Sequence, residues 1–150
     1  MKIEEAIQTK KFESPLSKAL VNIIYTGSFL LAKHAEVLKP YGISPQQYNV
    51  LRILRGSHPD KLTVQAIKNR MLDKTPNTTR LVDKLLTAGL VLRERCTEDR
   101  RVVYVSISDS GMHLMKELDQ SENQLNNYLG NLNNAELLQL SDWLDALRNK

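Results

Sequence analysis

The chain has 150 residues and a mass of 17.1 kDa, enough for one domain whose core needs neither disulfides nor a metal. With 41% apolar and 25% charged residues, and only 6 Gly and 5 Pro, it is excluded from the collagen-like, low-complexity and disordered classes. No run of 18 apolar residues predicts a membrane span, residues 1–16 lack the hydrophobic stretch of a secretory signal, and the single cysteine, Cys96, has no partner for an internal bridge. The expectation is a soluble cytoplasmic protein with one domain over residues 1–150.

Net charge is +4, but its distribution says more than its size. Residues 1–59 carry 8 Lys/Arg against 4 Asp/Glu, residues 60–101 carry 10 against 6, and residues 102–150 carry 3 against 7. A basic front and an acidic tail suggest an anionic partner such as nucleic acid.

In chain order, Leu16, Leu20, Ile23, Ile24, Leu30, Leu31 and Leu38 recur at three- and four-residue steps, predicting a long helix over residues 16–38 that ends at Pro40-Tyr41-Gly42. Ser44-Pro45-Gln46-Gln47 combines an N-cap, a first-turn proline and a capping-box glutamine; it predicts a helix to about Arg55 with Tyr48, Leu51 and Leu54 inward. Thr63 predicts the cap of a short helix, Val64–Met71, burying Ala66 and Ile67. Thr75-Pro76 then reads as N-cap and first residue of a helix that buries Leu81, Val82 and Leu85 and stops at Gly89. Its opposite side carries Pro76, Arg80, Asp83 and Thr87, flanked by Asn77, Thr79 and Lys84.

The period then changes from helical to alternating. Leu90–Thr97 and Val102–Ser108 predict a β-hairpin with a charged tip, Glu98-Asp99-Arg100-Arg101. Ser108-Asp109 opens a further helix with Met112, Met115, Leu118, Leu125, Leu129 and Leu132 on one stripe. A last helix starts at Asn133 or Asn134 and carries Leu137, Leu140, Leu144 and Leu147, with Trp143 beside them.

Three short helices followed by a hairpin predict a mainly α fold, a winged helix-turn-helix over about 41–108. The helix after Thr75 is the natural recognition helix for a major groove, and the hairpin is a wing whose arginines suit a minor groove. The long helices at about 14–40 and 109–150 cannot hide their stripes against so small a module, which predicts a homodimer.

The chain resembles the MarR family of bacterial transcriptional regulators in Ser44-Pro45-Gln46-Gln47-Tyr48-Asn49-Val50-Leu51, Thr79-Arg80-Leu81-Val82-Asp83-Lys84-Leu85, Gly89-Leu90-Val91, Asp99-Arg100-Arg101 and Val105-Ser106-Ile107-Ser108-Asp109-Ser110-Gly111. The resemblance covers about 110 residues with order and spacing kept. It implies dimerising terminal helices, a pseudo-palindromic double-stranded DNA operator, and a wing arginine, here Arg101, that enters the minor groove. It departs from the family at Pro76-Asn77, where small hydroxylated residues are more usual, which bears on operator sequence.

The DNA-contacting set expected from position and resemblance together is Thr75, Pro76, Asn77, Thr79, Arg80, Lys84, Arg93, Arg95, Arg100 and Arg101. Asn77 suits adenine, Arg80 guanine or phosphate, and Arg93 and Arg95 phosphates. Against this set stands an ordinary solvated helix face and a charged edge strand. The resemblance further implies a pocket for a small aromatic or phenolic anion, with Tyr25, Phe29, His34, Tyr41 and Tyr48 as candidates; core and dimer packing is the competing reading. Cys96 has basic neighbours, but a strand cysteine serves more often as a small apolar residue, and the family's reactive cysteine lies near the N-terminal helix. His34, His58 and His113 lack metal-ligand spacing, and no nucleophile, phosphate-loop or dinucleotide motif is present, so neither metal, cofactor nor enzyme is expected. The alternative function is a winged helix that binds protein without touching DNA.

Overall fold

A computed structural model describes residues 1–99 and 101–149, with the side chains of residues 120–129 left out of the description. The expected tip residue Arg100 and stripe residues Leu125 and Leu129 therefore lie outside what is described.

A short helix α1 (Ile3–Ala6) precedes α2 (Pro15–Leu38), and a 3₁₀ turn, Lys39–Tyr41, leads to α3 (Pro45–Ser57). The strand β1 (Leu62–Thr63), the helices α4 (Val64–Arg70) and α5 (Thr78–Thr87) and the hairpin β2 (Val91–Arg95) and β3 (Val103–Ile107) follow. The chain closes with α6 (Asp109–Leu129) and α7 (Asn134–Arg148). The fold is mainly α, a winged helix between long terminal helices.

The local signals explain most boundaries. Ser44 Oγ accepts the Gln47 N–H at 3.2 Å while Gln47 Oε1 accepts the Ser44 N–H at 2.9 Å, a complete capping box. Thr63 caps α4 by accepting the Ala66 N–H, and Asn133 with Glu136 forms a second capping box on α7. Gly89 ends α5 with φ +71°, a left-handed position where a side chain is strained.

Two expectations are corrected. The helix α5 starts at Thr78, not Pro76: Asn77, not Thr75, is the N-cap, its Oδ1 accepting the Arg80 N–H at 3.2 Å. Thr75 and Pro76 belong to the preceding bend, where the Thr75 N–H bonds Asp73 Oδ1 at 2.9 Å. The reason is tertiary: Thr78 is 4% exposed against Met71, and burying it starts the helix two residues later. The second correction is β1, absent from the sequence reading. It pairs antiparallel with β3, Leu62 opposite Val105 and Thr63 opposite Tyr104, giving the order β1-β3-β2. By length and composition alone Pro15–Tyr41 is apolar enough to cross a membrane, although it holds no unbroken run of 18 apolar residues. α2 packs on α3 and α6, and Leu38 at its C-terminal end is fully buried, while the apolar window itself lies open in the single chain.

The core lies inside the winged helix. Val50, Leu51 and Leu54 of α3, Ile67 of α4, Val82 and Leu85 of α5, Val91 and Val105 of the sheet, and Met115 and Leu118 of α6 are all buried. Ala66, expected inside, is only half-buried. Truncating any of these leucines to alanine removes about 2–5 kcal/mol. An ion pair ties α3 to α6: Arg55 Nη1 donates to both Asp119 oxygens at 2.9 Å and to the Met115 carbonyl at 3.2 Å.

Among the described residues, much of the terminal stripes lies open in the single chain. Leu16 is 77% exposed, Leu20 57%, and Ile23, Ile24 and Leu31 are exposed too; on α7 Leu138, Trp143 and Leu147 stand out, while Leu137, Leu140 and Leu144 are half-buried.

Candidate nucleic-acid interface

The outer side of α5 is polar because its inner side is fully committed to the core. Val82 and Leu85 point in, and Thr79, Arg80, Asp83, Lys84 and Thr87 are exposed on the outside. Asn77 stands at the head of the helix and spends its Oδ1 on the cap, so its carbonyl oxygen is occupied. Thr75 is exposed and Pro76 half-buried at the approach.

The wing springs from the end of this helix. The Leu90 N–H returns to the Leu85 carbonyl at 3.0 Å, and β2 pairs with β3 from Val91–Ile107 to Arg95–Val103. Only Val91 of β2 is buried, so Arg93 and Arg95 lie on an exposed ribbon. The tip is organised by Asp99, whose Oδ1 accepts the Arg101 N–H and whose carbonyl accepts the Val102 N–H, both at 2.9 Å. Asp99 thus shapes the turn through the backbone, and Arg101 is presented exposed at its end. Arg93 is not a lone cation: its Nη2 donates to Asp83 Oδ1 at 2.6 Å. Lys61 pairs with Glu94 across the sheet face.

Residues of α4 were missed in the sequence. Gln65, Lys68 and Asn69 are exposed on the helix that precedes the recognition helix, the position from which a helix-turn-helix crosses the phosphate backbone. The signal for them is the polar face of Val64–Arg70 opposite Ile67.

A second site lies between α2 and α3. A cavity of about 510 Å³ is lined by Leu31, His34, Tyr48, Asn49, Arg52, Ile53, Met71 and Leu72, with Pro45, Gln46 and Asp73 at its edge. Its size suits a small ligand. His34 meets Tyr48 edge-on, ring centroids 4.9 Å apart, and Arg52 bonds the Tyr48 hydroxyl at 3.2 Å. Of the five candidate pocket residues the structure brings together His34 and Tyr48. Tyr25 and Phe29 sit on the exposed stripe of α2, and Tyr41 packs against the core. Arg52 and Asn49, which the sequence reading passed over, supply the cation and amide. Asn49 Oδ1 accepts the Leu72 N–H at 2.9 Å, tying this cavity to the turn before α5.

Burial, then the Arg52 charge, lowers the His34 pKa. The unfolded chain therefore takes up this proton first, near pH 6.5. Stability associated with neutral His34 is full above that pH and is lost as pH falls towards the lower folded value. The expected result is a melting temperature that declines below pH 6.5 less steeply in His34→Gln than in the parent, checked by thermal melts from pH 5 to 8. Parallel curves would remove His34 from the account.

The family model described as MarR family matches residues 43–103, the stretch from the start of α3 into β3. A crystal structure of a MarR transcription factor from Planctomyces limnophilus is 36% identical, covers 91% of this chain and 99% of its own, and superposes with a TM-score of 0.71. The chain belongs to the MarR family. Over 80 residues it is 34% identical to an uncharacterised HTH-type transcriptional regulator of Bacillus subtilis, YkoM. That match takes in 53% of this chain, which spans about half (51%) of that curated relative's length. The MepR–DNA complex of S. aureus shares the fold at 20% identity and a TM-score of 0.75, covering 83% of this chain and 92% of its own. In this MarR-family chain, α5 and the β2–β3 hairpin hold the recognition-helix and wing positions.

Proposed function

We propose that this chain is a sequence-specific DNA-binding transcriptional regulator that works as a homodimer, not an enzyme. The observation that carries the reading is the polar, cationic outer side of α5 beside an arginine-bearing hairpin. Thr79, Arg80 and Lys84 enter the major groove. Thr75, Pro76 and Asn77 guide the helix N-terminus to it. Arg101 at the wing tip enters the adjacent minor groove, and Arg95, Gln65 and Lys68 rest on phosphates. The relatives' description as HTH-type transcriptional regulators supports this, as does the DNA bound by MepR.

The exposed apolar residues of α2 and α7 support the dimer, because a second copy would cover them. Two recognition helices then meet inverted half-sites about one helical turn apart, roughly 34 Å. The simplest regulatory scheme is cytoplasmic repression relieved by a small aromatic or phenolic anion. Arg52 offers its carboxylate a positive charge and neutral His34 a ring N–H, and Leu31, Ile53, Met71 and Leu72 offer its ring an apolar wall. Such a ligand must bind the DNA-incompetent state better, because equal affinity shifts nothing.

The test is selection of bound duplexes from a random library, with sedimentation on the same sample. Enriched inverted repeats, a dimer at micromolar concentration, and affinity that falls steeply between 50 and 200 mM salt are expected. A stable 17 kDa monomer would remove the two-half-site geometry, and no enrichment would remove the DNA reading. Titration with phenolic carboxylates is expected to raise the melting temperature and release the selected duplex; neither effect would leave the regulator without this class of ligand.

A further inference from the structure

Ten residues separate Asp83 from Arg93, yet the turn at Gly89 brings them into contact. Asp83 lies on the exposed outside of α5, one turn after Arg80 and beside Lys84. Arg93 is the third residue of β2, opposite Val105 in the sheet. The contact is 2.6 Å, and the side chains of Arg93 and Asp83 keep 33% and 51% of their exposure, so water and phosphate can both reach the pair.

A bare carboxylate on a surface that meets DNA repels phosphate. A bare arginine there binds phosphate of any sequence, and such contacts add affinity without discrimination. Paired, the two cancel in charge, and the base of the wing is held against the recognition helix. We propose that Asp83 is a specificity-determining positioning residue: by holding Arg93 it withholds one cation from indiscriminate phosphate contact. This rests on the DNA-binding reading above.

The experiment follows fluorescence anisotropy of the full chain with the selected duplex and with a scrambled duplex of equal length and composition, at 50–300 mM salt. The variants are Asp83→Asn, Arg93→Gln and the double substitution, with circular dichroism to confirm folding. Asp83→Asn is expected to steepen the salt slope on scrambled DNA by about 0.9, the contribution of one neutralised phosphate, which is about eightfold tighter binding at 0.1 M salt. The selected duplex gains less, so the ratio of the two affinities falls. Arg93→Gln is expected to leave the parental slope on scrambled DNA unchanged, and the double variant to return to it. A brace with a merely structural role would not move the slope. Unchanged or weaker scrambled binding by Asp83→Asn overturns the assignment, as does a slope lowered by about 0.9 in Arg93→Gln alone. If the parent binds duplex and Asp83→Asn tracks it, only the role of Asp83 falls. If the parent binds no duplex, the DNA reading falls and this inference with it.

Discussion

Arg80→Ala is expected to cost about 1–3 kcal/mol of binding to the selected duplex, the worth of a bidentate contact to a base, and to relax preference inside the major-groove half-site. Its side chain is exposed on the outside of α5 and supports no core residue, so the melting temperature should hold. Arg101→Ala is the matching test for the wing. It removes an exposed cation from the hairpin tip while the Asp99 turn, made through backbone groups, persists. Affinity should weaken and the salt slope fall by about one unit, with preference relaxing only where the wing lands. Footprinting and a binding series on both variants check this; Arg101→Ala binding as tightly as the parent at physiological salt would show that the hairpin is not a DNA-reading wing. Asn77→Ala is a poorer probe of base contact. Its Oδ1 caps α5, so that change also costs about 0.5–2 kcal/mol of stability; Asn77→Ser keeps a cap and isolates the base contact.

Gly111→Ala should be the most destabilising small change in the molecule outside the core. A Cβ there would sit 2.2 Å from the Leu90 carbonyl oxygen and 2.8 Å from Ile107 Cγ1. That oxygen belongs to the backbone and already accepts the Ser108 N–H at 3.1 Å, while Ser108 Oγ donates to the Gly89 carbonyl and accepts the Gly111 N–H. Nothing can yield without loosening the junction of α5, the wing and α6. Overpacking of this kind costs about 1–3 kcal/mol, and each kcal/mol lowers the melting temperature by roughly 2–4 °C at this size. Gly56→Ala is the opposing control. It lies within α3 with no atom near the added methyl, and it should gain about 0.5–1 kcal/mol. Calorimetry on both decides; equal melting temperatures would mean the 2.2 Å approach relaxes freely.

The sequence by itself determined what is decided within a few residues. Ser44, Pro45 and Gln47 form their capping box from neighbours three positions apart, and Gly89 meets a local demand for a left-handed turn. The alternation of Val103, Val105 and Ile107 marks a half-buried strand by itself, and the stripes of α2 and α7 announce amphipathic helices. From these the winged helix, the outer residues of α5 and the wing tip were all legible. Tertiary structure decided wherever several local solutions were nearly equal or the partner was far along the chain. Thr75 and Asn77 are both competent caps, and burial of Thr78 against Met71 selected between them. β1 has two residues and becomes a strand only because β3, some 40 positions on, offers its edge. Asp83 and Arg93 read separately as two exposed charges, and Arg55 and Asp119 stand 64 residues apart. The cavity follows the same rule. Tyr25 and Phe29 share a helix with His34, but the packing of α2 on α3 turned Arg52 and Asn49 towards His34 and left the other two on the open stripe. Local hydrogen bonds are set by spacing, whereas which side chains share a cavity depends on how helices cross, and that is fixed only when the core closes.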